Sequence, residues 1–245
     1  MDPAFDWLAY YAEFDPGRLA AVDLATRRWL TYGELDDRAT RLATALRERF
    51  GVEHGDRVGF LAHNSTDHFE TMFACWKLGA IFVPVNWRLS PHETAAIIEH
   101  CEPRVILHDA EFTSQLTLAH TPTVCRVPGS AECGYEQMIA AHEPHVLMEH
   151  VDFSTVNMLL YTSGTTGRPK GVRLRHKSWV YEGESIRVQN ILDESDLQFL
   201  WLPMAHSFGK VLLSAQLACG FASAVDGRVE KIVDNCATVK PTFMG

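Results

Sequence analysis

The chain has no CxxC pair, and the gaps between Cys75, Cys101, Cys125, Cys133, Cys219 and Cys236 fit no zinc framework. These six read as reduced, mostly buried thiols of a cytoplasmic protein. No apolar run reaches membrane length, since the longest, Met72 to Trp87, is broken by Lys77. The N-terminus, MDPAFDWLAYYAEFDPG, carries acids where a secretory signal carries a basic region. Basic residues are also scarce: 22 Lys and Arg stand against 31 Asp and Glu, a net charge of −9. That balance excludes a general phosphate-neutralising face and hence a nucleic-acid partner. There is no low-complexity tract and no fixed-period repeat. No strand runs into G-x-G-x-x-G, so a nicotinamide dehydrogenase has no support. The P-loop pattern is missing too, because Pro169 precedes Lys170.

What is present is an ordinary globular composition, 47% apolar and 22% charged over 245 residues, enough for a sizeable core. Short β-rich runs alternate with amphipathic helices. Thr31 and Glu34 have capping-box spacing ahead of Leu35, Ala39, Leu42, Ala43 and Leu46. Arg57 to Ala62 reads as a strand, and Ser65 as the cap of a helix carrying Phe69, Met72, Phe73 and Trp76 on one face. Ala80 to Val85 reads as the next strand. Ser90-Pro91-His92-Glu93 opens a helix, with Pro at its first position, and Arg104 to His108 is again a strand. Later come a strand at Val156 to Tyr161, a helix over 177–190, a strand at Leu197 to Leu202, a helix at Gly209 to Cys219 and a strand at Phe221 to Val225. Such alternation predicts an α/β fold with mainly parallel sheets flanked by helices. Residues 109–150 read as a connection between two layers, 1–150 and 151–245. The chain stops at KPTFMG without a cap or polar tail, and the fold is expected to continue beyond it.

The segment Tyr161 to Gly171, YTSGTTGRPKG, carries the chemistry. A buried strand delivers the chain into Thr162, Ser163, Gly164, Thr165, Thr166 and Gly167. Its glycines permit positive φ and close backbone approach. Hydroxyls and free N–H groups there can surround phosphate oxygens. Arg168, Lys170, Arg173, Arg175 and Lys177 follow with no acid among them, a local basic excess in an acidic chain. The blander alternative is a surface turn beside a solvated basic strand.

YTSGTTGRPKGV is similar to the phosphate-loop signature of the AMP-forming, adenylate-forming enzymes, and among them most resembles a fatty-acid–CoA ligase. Agreement extends to LTYGEL (30–35), GDRV (55–58), KLGA (77–80), PVN (84–86), RLS (88–90) and LPMAHSFG (202–209). The resemblance is weakest over 109–150. It implies a layered αβαβα arrangement in which 1–245 is the N-terminal part of an incomplete large adenylation domain, the C-terminal small domain being absent.

By the same resemblance, ATP and a carboxylic acid give an acyl-adenylate and pyrophosphate, and CoA then displaces AMP. Thr162, Ser163, Gly164, Thr165, Thr166, Gly167 and Lys170 would grip ATP, with Thr162 also touching Mg2+. His206 and Lys170 would be catalytic, His206 standing beside the acyl carboxylate. His206, Ser207, Phe208 and Gly209 would line the acyl pocket, with Trp179, Tyr181 and Trp201 as further wall candidates. Fatty acid, ATP and CoA are the expected small-molecule partners. A second copy or the missing C-terminal half is the expected packing partner, and nothing supports peripheral membrane contact. The family's adenine and ribose motifs and its adenylation lysine have no counterpart here, so the chain alone is expected to be weak or inactive. The competing reading is a non-catalytic remnant that serves as a binding or interaction module.

Overall fold

Two local devices set the frame. The Thr31 backbone N–H donates to Glu34 Oε2 at 2.8 Å, while Glu34 N donates to Thr31 Oγ1 at 3.2 Å. This reciprocal box opens α2 (Tyr32–Phe50), which closes on Gly51 in the left-handed region at φ 61. Ser90 and Glu93 repeat the device at α4 (Pro91–Cys101). The computed structural model describes residues 6–145, 151–162 and 169–245.

In chain order the elements are α1 (Trp7–Phe14), β1 (Leu19–Asp23), β2 (Arg28–Thr31), α2, β3 (Arg57–Leu61), α3 (Thr66–Lys77), β4 (Ile81–Pro84), α4 and β5 (Val105–Asp109). There follow a 3-10 helix (Ala110–Leu116), β6 (Thr123–Arg126), α5 (Gly134–Ala140), β7 (Val156–Thr162), β8 (Lys170–Arg175), α6 (His176–Arg187) and β9 (Leu197–Leu200). The last elements are α7 (Ser207–Cys219), β10 (Ala222–Val225), a short 3-10 turn, α8 (Ile232–Val239) and β11 (Phe243–Met244).

They form two sheets, ordered β11-β9-β10-β1-β2 and β6-β5-β3-β4-β7-β8. Pairing is parallel throughout except at one edge of each, where β2 and β8 run antiparallel. The α/β class, with mostly parallel sheets flanked by helices, is therefore the observed one.

The division at residue 150 does not follow the sheets. β1 and β2 join β9, β10 and β11, whereas β7 and β8 complete the sheet begun by β3 to β6. Residues 109–145 are likewise more than a connection, since they supply β6 and α5. Long-range pairing decides this, and local periodicity carries no record of it.

α3 lies between the sheets. Each of its residues is buried, and it touches β1 on one side and β3 and β4 on the other. Phe69, Met72, Phe73 and Trp76 belong to one core cluster, each contributing roughly 1.5–3 kcal/mol on burial. Ser65 occupies the N-cap, but its hydroxyl makes no cap bond and is buried without a partner among the described residues. The expected side-chain cap is replaced by backbone, His68 N donating to Ser65 O at 3.2 Å. A second cluster, including Ile97, Ile98, Ile106 and Phe112, fills the space under α4 and the 3-10 helix. The six cysteines are free thiols, of which Cys75, Cys101 and Cys133 are buried. No helix among the described residues is long and apolar enough to cross a membrane.

Candidate active site

β7 and β8 are antiparallel neighbours in register, Thr162 opposite Lys170 and Tyr161 opposite Gly171. β7 ends at Thr162 and β8 begins at Lys170, the two residues that face each other in this register. Ser163, Gly164, Thr165, Thr166 and Gly167 lie outside the described residues. A Cβ at Gly171 would meet Leu159 Cδ1 at 2.9 Å, a contact that the leucine side chain can yield.

The second sequence motif forms the other side of the site. His206 is the N-cap of α7 and makes no side-chain cap bond. Its Nε2 lies 3.5 Å from Asn86 Nδ2. Gly209 lets the first turn of α7 approach the preceding loop, because a Cβ there would stand 3.0 Å from the Pro203 carbonyl oxygen.

Two cavities meet at this point. One, of about 390 Å³, runs between β7, β8, α6 and α7, and its apolar wall includes Leu160, Val172, Leu174, Trp179 and Val211. The other, of about 240 Å³, is more polar and is bounded by Asn86, Glu93 and Pro169. Tyr161, Thr162, Ala205 and His206 line both. A more polar mouth therefore opens into a largely apolar chamber, an arrangement suited to a carboxylate with an apolar tail. At the rim, the Tyr161 hydroxyl lies 2.6 Å from His100 Nδ1, and burial pushes the Tyr161 phenol above its usual range.

The structure brings Thr162, His206 and Ser207 together on the larger cavity, with Lys170 across the ladder from Thr162. Phe208 and Gly209 are not among its lining residues: Phe208 is 55% exposed, and Gly209 faces Pro203. Helical geometry explains this, since the cavity face of α7 is the Ser207, Lys210, Val211, Ser214 stripe. Of the three further wall candidates, Trp179 lines the cavity, Tyr181 is exposed, and Trp201 donates its indole N–H to Gly245 O at 2.7 Å. Sequence reasoning missed Val172, Leu174 and Lys210. The alternation of Val172 and Leu174 with basic residues was a readable period-2 signal.

No group of three or more His, Cys, Asp or Glu that could hold a metal occurs among the described residues. The Thr162 hydroxyl is a hard oxygen donor, and it fits a magnesium ion whose other ligands are phosphate oxygens and water.

The description "AMP-binding enzyme" matches residues 8–245. A feruloyl-CoA synthase from Amycolatopsis sp. is 35% identical over 193 residues, 78% of this chain and 38% of that protein. An indoleacetate–CoA ligase from Aromatoleum aromaticum is 31% identical over 211 residues, 83% of this chain and 41% of that protein. Among solved structures, the anthranilate CoA ligase AuaEII in complex with anthranoyl-AMP superposes with a TM-score of 0.88 at 25% identity, covering 99% of this chain and 48% of that one. The chain thus spans about two fifths of the length of the relatives it matches. With its fold and its family match in agreement, this chain belongs to the AMP-binding enzyme family, whose matched relatives include acid–CoA ligases.

Proposed function

We propose that residues 1–245 supply the triphosphate grip and the acyl chamber of an AMP-forming acid–CoA ligase. The observation that carries this reading is the junction of the two cavities at Thr162 and His206, beside the strand register that sets Lys170 opposite Thr162. In the proposed reaction the acid's carboxylate oxygen attacks the α-phosphorus of ATP, forming acyl-AMP and releasing pyrophosphate. The thiol of CoA then attacks the acyl carbon, giving the thioester and AMP. The first step needs in-line positioning and neutralised charge more than covalent help. Lys170 and the 163–167 amides and hydroxyls would hold the β- and γ-phosphates, and Thr162 would add an oxygen ligand to magnesium. Magnesium, when bound, screens the phosphate charge as the carboxylate approaches.

His206 would hold one carboxylate oxygen at the cavity mouth through its imidazole N–H, while the tail enters the chamber between α6 and α7. The alkyl part of a fatty acyl tail suits the Leu160, Val172, Leu174 and Val211 wall. The anthranoyl-AMP held by the similar AuaEII structure supports an acyl-adenylate intermediate in this reading.

The test is calorimetric titration of the chain with ATP and magnesium, followed by assay of AMP and acyl-CoA with an acid and CoA added. Saturable ATP binding weakened by Lys170→Ala supports the reading. An intact fold that binds neither ATP nor pyrophosphate overturns it in favour of a non-catalytic binding module.

A further inference from the structure

Three Lys or Arg side chains are buried among the described residues: Lys77, Arg126 and Lys210. Two have the carboxylates that a buried cation requires. Lys77 Nζ meets Asp36 Oδ1 at 2.7 Å and Asp6 Oδ2 at 2.9 Å. Arg126 is clamped between Asp67 and Asp109. Lys210, 4% exposed, forms no ion pair among the described residues.

Its surroundings are unusual for a lysine. Nζ is hydrogen-bonded to His68 Nε2 and lies 5.4 Å from the centre of the Phe82 ring. Burial lowers the Lys210 pKa well below its ordinary range. The His68 pKa is also well below normal, chiefly through burial and then through the charge of Lys210. Whichever partner donates in that bond, an amine has two N–H groups and an ammonium three, so at least one Nζ donor is left over. Lys210 is also a wall residue of the 390 Å³ chamber, on the same face of α7 as Ser207, Val211 and Ser214. A second observation concerns the same chamber. Trp179 lines it, is 6% exposed, and its buried indole N–H has no acceptor among the described residues. Glu182 is a wall residue too, but it is not ion-paired with Lys210.

We infer that Lys210 selects an acid whose tail carries an oxygen acceptor, such as a hydroxyl or a second carboxylate, within the chamber. The ligand supplies the partner that the fold withholds from Lys210. A plain alkyl tail leaves the surplus donor unsatisfied in a dry site, whereas an oxygenated tail accepts its hydrogen bond. The inference rests on the chamber being the acyl site.

The experiment titrates the chain, with ATP and magnesium present, against three acid series of six to twelve carbons: monocarboxylates, ω-hydroxy acids and α,ω-diacids. The same series is run on Lys210→Met, an uncharged side chain of similar reach, with thermal unfolding as the check on folding. The expected result is about tenfold or tighter binding of an oxygenated acid over its plain counterpart at one or more chain lengths, lost in Lys210→Met. Tighter binding by both oxygenated series identifies a general oxygen acceptor, and by the diacids alone a carboxylate. Monocarboxylates that bind as well as both oxygenated series in the unaltered chain overturn the inference and leave the acyl site standing. An absence of binding by every acid removes the acyl-site reading, and this inference with it. The comparison within the unaltered chain decides the matter even if Lys210→Met does not fold.

Discussion

Thr162 and Lys170 are cross-strand partners at the end of the β7–β8 ladder where β7 finishes and β8 begins. Eight positions apart in sequence, they are brought side by side because β8 folds back antiparallel along the sheet edge. The basic side chain is exposed and remote from the cores. Lys170→Ala therefore should leave the thermal midpoint nearly unchanged. Losing one charge-assisted contact to phosphate, worth about 1.5–3 kcal/mol, weakens ATP binding about tenfold or more. Calorimetry on both proteins checks this, and equal affinities would count against the loop's role.

Local chemistry was legible in the residues, and non-local pairing was not. Thr31 with Glu34, and Ser90 with Glu93, announced their helices because a capping box closes within four residues. The β1–β2 hairpin escaped notice because its strands are short and its turn, where Thr26 N donates to Asp23 Oδ1, lacks a Gly or Pro signal. At the site, the sequence displays the YTSGTTGRPKG and 202–209 motifs, whose residues Thr162 and His206 line both cavities. The stripe of α7 that faces the chamber was not, and the reading took Phe208 and Gly209 where the helix turns Lys210 and Val211 inward. Lys210 is the only charged residue of α7, which the sequence displays; its lack of a counterion among the described residues depends on what α3 and β4 bring beside it.

Gly183 is a tight contact in the chamber's construction. A Cβ there would stand 2.6 Å from the Ser214 carbonyl oxygen and 2.9 Å from Ala218 Cβ. The obstacle is helix backbone, which cannot swing aside as a long side chain would. Gly183→Ala should push α6 and α7 apart and lower stability by about 1–3 kcal/mol. Because both helices wall the chamber, acid binding weakens as well. An unchanged unfolding midpoint in Gly183→Ala would contradict the packing described.

Arg126 holds a buried network. It joins Asp67 to Asp109, Arg28 continues to Asp67 and Glu70, and Arg38 reaches Glu70 at 2.8 Å and Glu136 at 2.8 Å. Arg126→Met leaves Asp109 with the His63 backbone N–H, at 2.9 Å, but no cation. An uncompensated buried charge of this kind costs about 3–5 kcal/mol. Adding Asp109→Asn to that variant should recover part of the loss, because the stranded charge is gone. Urea titrations of the single and double variants test the coupling, and additive losses would refute it.

His176 gives the fold an acid-sensitive element. It is 4% exposed, its Nε2 has no partner among the described residues, and its ring packs edge-on against Trp76 at 5.3 Å. Burial lowers its pKa to about 4, against the weaker opposing pull of Asp6 and Asp152. The unfolded chain titrates near the ordinary value of about 6.5. Between these values the unfolded state binds a proton that the folded state refuses, so stability rises with pH across that window. The contribution is complete above pH 6.5, falls as the pH drops, and is gone near pH 4, a total of about 3 kcal/mol. His176→Phe keeps a ring against Trp76 without a titrating group, and its stability should fall less steeply from pH 6.5 to 4. His68 and Lys210 are depressed in both proteins, so the difference between the two curves isolates His176. Parallel curves from chemical unfolding across that range would show that His176 takes up its proton in the folded state as readily as in the unfolded one.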